Sequence, residues 1–127
     1  MIVTVKDIIK LCESSYPIYD ILIEDAGMMG EYEIMDDLSK EKEKIKDLVE
    51  EMNREFYGNS SFDLITPYIW LQGKEDNGGI KAFVSCMDKV KQSKLKEIEK
   101  IQKDVDCCDF IKKHYLLKQF GGNNDSN

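Results

Sequence analysis

The chain has 127 residues, and several residue types are nearly missing from it: one histidine, His114; one tryptophan, Trp70; one arginine, Arg54; and two prolines, Pro17 and Pro67. A single histidine restricts any Ser–His or Cys–His pair to partners that reach His114. No G-x-S-x-G, G-x-G-x-x-G or P-loop pattern occurs, so the common acyl-transfer and nucleotide-binding signatures are missing. The di-iron bundle pattern needs two E-x-x-H motifs, and the residue three before His114 is Ile111. No apolar run approaches the roughly 18 residues of a membrane span. The start, MIVTVKDIIKLCESSYP, lacks a basic segment followed by a clean apolar one, so the expected location is cytoplasmic and the cysteines should be reduced thiols.

Basic residues are missing from a whole region. Between Lys10 and Lys40 stand eight acids, Glu13, Asp20, Glu24, Asp25, Glu31, Glu33, Asp36 and Asp37, with no lysine or arginine. The other end is the reverse: from Lys74 to Lys118 there are eleven lysines against eight acids. The net charge of −7 disfavours a general nucleic-acid binder, which needs basic surface to release counterions. Seventeen lysines to one arginine suggest AT-rich coding, as in low-GC bacteria, phages and some other viruses.

What is present is helical periodicity. At 42% hydrophobic and 34% charged residues the chain has the composition of a globular protein, sized for one core. The expected fold is mainly α, a small helical bundle over residues 1–120 with a disordered tail at 121–127. Thr4 and Asp7 resemble a capping box ahead of a helix over 5–13, which the SSYP stretch ends.

Residues 17–37 admit two readings. Ile18, Ile21, Leu22, Met28 and Met29 fit a helix that Pro17 starts. Tyr19, Ile21 and Ile23, with Tyr32 and Ile34, fit an N-terminal β-hairpin around AGMMG, which would make the fold α+β. The helix is preferred.

Residues 39–57 read as a helix capped by Ser39, with the stripe Ile45, Leu48, Val49, Met52 and Phe56. If 31–37 are helical too, Tyr32, Met35 and Leu38 extend that stripe backward. Residues 62–72 carry Pro67 and read as a kinked helix or an edge strand. Residues 80–105 read as a second long helix with Ile80, Phe83, Val84, Met87, Val90, Leu95, Ile98, Ile101 and Val105 in its stripe. That periodicity runs on through Cys108 and Ile111. A straight helix over 80–118 would be about 58 Å long. It therefore either breaks near DVDCCD or extends and pairs with a second copy. Phe56, Phe62, Trp70 and Phe83 are expected in the core.

The most reactive-looking stretch is DVDCCDFIKKH, residues 104–114. Zinc sites use spaced cysteine pairs, whereas Cys107 and Cys108 are adjacent and point about 100° apart on a helix. The preferred reading makes Cys108 a small core residue on the stripe, with the aspartates on a solvated face. A redox-sensitive thiol and a metal site are the alternatives. The lysine series Lys89, Lys91, Lys94, Lys96, Lys100 and Lys103 could follow a phosphate backbone. It is interrupted by Glu97 and Glu99 and has no aromatic residues to stack bases, so a solvated face is the better reading.

The functional expectation rests on the acidic region. Asp25, Glu31, Tyr32, Glu33 and Asp36 are the candidate partner-binding residues, because uncompensated acids beside Tyr and Met suit a basic protein surface. The expected role is a non-catalytic binding module (a small acidic inhibitor, immunity-type or adaptor protein) with no catalytic residues, metal or cofactor. A self-associating helical protein, with residues 80–118 as a homodimer seam, is one alternative. A helical carboxylate- and metal-dependent enzyme is another, for which Glu33 and Asp36 supply one E-x-x-D pair.

Overall fold

The structure is a computed structural model that describes residues 3–56, 71–74 and 78–116. Its elements are α1 (Val5–Ser14), α2 (Tyr16–Met28), α3 (Tyr32–Glu55) and α4 (Gly79–Ile111), followed by a π-helical turn (Lys112–Leu116). Among the described residues there is no β-strand. The chain divides into two units, Met1–Lys91 and Gln92–Asn127.

The capping box forms as expected. The Asp7 backbone N–H donates to Thr4 Oγ1 at 3.2 Å, and the Thr4 N–H donates to the Asp7 carboxylate at 3.0 Å. These bonds hold the Asp7 carboxyl below its ordinary value. Ser15 separates α1 from α2. It is fully buried, and its hydroxyl donates to the Cys12 carbonyl at 2.5 Å. Pro17 then stands in the first turn of α2, where its missing N–H costs nothing.

Residues 17–37 therefore fold as helix, turn, helix, and the hairpin alternative does not form. The burial pattern fits: Tyr19 and Ala26 are buried and Ile23 is half-buried, while Ile21 is 60% exposed, so the strand set is split. AGMMG supplies the stop. The Gly30 N–H donates to the Gly27 carbonyl at 3.2 Å and the Glu31 N–H to the Ala26 carbonyl at 2.8 Å. This paired pattern is the Schellman closure of a helix, and it needs a left-handed residue after the cap. Gly30 provides it, with φ of 74°.

Helix α3 starts seven residues earlier than Ser39, which is not its cap. The Ser39 hydroxyl instead donates to the Met35 carbonyl at 3.0 Å within the helix. The backward extension of the stripe holds in part. Leu38 packs on the core and Met35 is half-buried, but Tyr32 is 66% exposed.

The core of the first unit is built from Val5, Ile8 and Cys12 of α1, Tyr19 of α2, the α3 stripe with Phe56, Leu71, and Ala82, Cys86 and Val90 of α4. Phe83 is half-buried against it, while Val84 is 53% exposed and does not belong to the stripe. Phe62, Trp70, most of 62–72 and the 121–127 tail lie outside the described residues.

The second unit differs. Helix α4 does not break at DVDCCD but runs on to Ile111. Leu95, Ile98, Ile101, Val105 and Ile111 are 43–61% exposed, and Cys107 and Cys108 are exposed as well. Cys108 is therefore not a core residue. Within its own unit the only other described element is the π-helical turn that continues α4, and the stripe is present but uncovered.

Candidate protein-binding surface

Two groups of acids follow from this packing. One is wired into the fold. Glu41 lies three residues after Leu38 and four before Ile45, which puts a carboxylate on the buried face of α3. Its Oε2 accepts from the Tyr19 hydroxyl at 2.5 Å, from Lys89 Nζ at 2.8 Å and from the Ser85 hydroxyl at 3.0 Å. Lys89 also donates to Ser85 Oγ at 2.7 Å and stands 5.4 Å from the Tyr19 ring centroid. Burial pushes the Glu41 carboxyl up, but the three donors and the lysine charge outweigh it and hold it below its ordinary value. Burial, followed by the bond to Glu41, drives the Tyr19 hydroxyl strongly upward, so it remains a donor.

Cys12 and Cys86 are fully buried beside this network. Donation toward Cys86, with burial, pushes the Cys12 thiol up, and the same bond favours Cys86 as the acceptor and lowers it. Burial also raises Tyr16 to about 12. This polar knot was missed from sequence, although a glutamate on an apolar stripe was the available signal.

The second group lies at the far end of the α2–α3 hairpin. The closure at Gly30 brings Asp25, near the end of α2, beside Glu31, Tyr32, Glu33 and Asp36 at the start of α3. All five are exposed. The same end of the hairpin carries its most exposed large apolar side chains, Met28 at 79% and Met29 at 74%, with Tyr32 at 66%. The helices approach closely here: a Cβ on Gly27 would lie 3.1 Å from Met35 Sδ.

The electrostatics of this end are one-sided. Glu31 is the N-cap of α3 and Glu33 lies in its first turn, where negative charge suits the helix dipole. Asp25 and Glu24 lie in the last turns of α2, where a cation would be favoured, and that turn has no basic residue. Asp36 pairs with Lys40 at 3.1 Å on an exposed face, a contact of little energetic weight. Among the described residues no cation pairs with Asp25, Glu31 or Glu33. Among the described residues, the ion pairs of unit 1 that join separate segments serve Asp20, Glu41 and Glu51, through Lys42 at 2.5 Å, Lys89 at 2.8 Å and Lys74 at 2.6 Å.

Among the described residues no group of three or more His, Cys, Asp or Glu side chains is arranged to hold a metal ion. No helix among them is long and apolar enough to cross a membrane. His114 sits in the π-helical turn with its ring 4.3 Å from that of Phe110. No family model, curated protein or solved structure matches the chain.

Proposed function

We propose that the chain is a non-catalytic protein-binding module, a small acidic inhibitor, immunity-type or adaptor protein. It covers a basic macromolecular surface with the exposed end of its α2–α3 hairpin. The observation that carries this reading is the coincidence of Met28, Met29 and Tyr32, all largely exposed, with Asp25, Glu31 and Glu33, which have no cation partner among the described residues. Apolar side chains with flexible thioethers supply contact area that adapts to a partner. The acids around them steer a basic partner and select against acidic ones. The acid-rich C-terminal end of α2 works against its own helix dipole, a local cost that a bound cation would relieve.

The test compares the native chain with a variant carrying Asp25→Asn, Glu31→Gln, Glu33→Gln and Asp36→Asn. Both are used to capture proteins from host lysate at low and high salt. The expected result is a stoichiometric basic partner held by the native chain, released by salt and lost by the variant. Once that partner is purified, its affinity for the variant should fall roughly thirtyfold, or about 2 kcal/mol. Equal capture by both chains, with the variant folded, removes this surface from the interface.

A further inference from the structure

We propose that residues 95–111 of α4 form an antiparallel helix pair with the same segment of a second copy of the chain. This surface lies in the second unit and is independent of the acidic hairpin end. Four of its side chains, Ile98, Ile101, Val105 and Cys108, are spaced three, four and three residues apart, the a/d pattern of a two-helix seam. Ile98 and Ile101 are each 61% exposed and Val105 is 48% exposed. Leu95 and Ile111 flank the seam at 43% and 50% exposure.

The uncovered apolar surface along this line is on the order of 500 Å² per chain, in the upper part of the range for the largest patch on a soluble monomer, and such patches are often functional. Two copies would bury about 1,000 Å², the lower bound for a specific interface. The pair should therefore be reversible and dependent on concentration.

The net charge of two successive blocks favours a second copy in the antiparallel direction. Residues 94–103 carry four lysines, Lys94, Lys96, Lys100 and Lys103, against Glu97 and Glu99. The next turns carry Asp104, Asp106 and Asp109 with no cation before Lys112. The basic block and the acidic block meet at residue 103, which is also the midpoint of the seam. An antiparallel copy turned about that point sets the net-positive block against the net-negative one, with Lys100 opposite Asp106 of the second copy, while Glu97 faces Asp109 and Lys94 faces Lys112. A parallel copy places like against like along the whole seam, which is unfavourable. The antiparallel register also stacks Ile98 on the second copy's Cys108 and Ile101 on the second copy's Val105, so every seam layer is apolar.

The first test is the solution mass of the full chain by sedimentation equilibrium as concentration is raised. The expected result is a reversible rise from 14.7 kDa to twice that mass. The Ile98→Glu, Ile101→Glu variant should keep the one-chain mass with unchanged helical content in dilute solution. A native chain that stays at one-chain mass up to about 300 µM overturns the proposal. So does a variant that still doubles in mass. Direction is read by mild oxidation in a Cys107→Ser background. Adding Ile98→Cys should produce cross-linked pairs through Cys108 of the second copy. Rapid cross-linking through Cys108 alone would mean a parallel pair and would contradict the antiparallel assignment.

Discussion

Glu41 and Glu33 lie eight residues apart on one helix and have opposite fates. Glu41 faces inward, takes three hydrogen-bond donors on one oxygen and ties α2, α3 and the first part of α4 together. Glu33 stands exposed among acids with no cation partner among the described residues. The same side chain is a structural clamp at one position and a free charge at the other. What separates them is the apolar stripe of α3: a carboxylate on that stripe must be satisfied by the fold, and one off it is free for a partner.

Substitutions at the two kinds of acid should therefore separate stability from binding. The largest stability effect is expected for Glu41→Ala, at about 3 kcal/mol by urea unfolding, because it takes the carboxylate from the buried Tyr19 hydroxyl and leaves the Lys89 charge with Ser85 alone. The same clamp should respond to acid. The Glu41 carboxyl is held below 4.5, so its contribution is fully present above that value. As pH falls through the lowered folded value, the carboxylate protonates and the stabilisation is lost. Glu41→Gln should remove this part of the acid sensitivity. If the acid limb of the stability profile is identical in native chain and variant, Glu41 is not the clamp.

Next comes the contrast within α4. Val90→Ala should cost about 2 kcal/mol, since Val90 is only 4% exposed. The same change at Val105, 48% exposed, should cost under about 0.5 kcal/mol in dilute solution. Equal costs at the two positions would mean that something covers the second half of the stripe even in the isolated chain. Gly30→Ala should cost about 1 kcal/mol by forcing a Cβ into the left-handed region, and it should loosen the turn that sets Asp25 beside Glu31. Neutralising Asp25, Glu31, Glu33 and Asp36 together should have the smallest effect on stability, within about 0.5 kcal/mol.

These contrasts mark where sequence reading works and where it stops. The capping box at Thr4 and Asp7 and the stripe from Ile45 to Phe56 are legible because each is a local rule that the tertiary fold reinforces. The helix–turn–helix at 17–37 was ambiguous because Tyr19, Ile21 and Ile23 suit a strand as well as a helix. The ambiguity was resolved by Pro17 at one end and the Gly30 closure at the other. Residues 80–111 show the limit most clearly. Periodicity reports which face a helix can bury, not whether anything is there to bury it. Val90 and Val105 are indistinguishable by that criterion, yet one is core and the other is surface. The acidic site was legible as a run of missing cations. Met28 and Met29 were legible beside those acids as well; their exposure at the end of the hairpin became visible only in the fold.

The most direct test of the central claim, that the exposed acidic end of the α2–α3 hairpin serves a basic partner, is the paired capture at two salt concentrations with native chain and four-acid variant. The account predicts a basic protein retained by the native chain at low salt and lost both at high salt and by the folded variant. A partner retained equally by both chains, or none retained by the native chain at either salt, would contradict it.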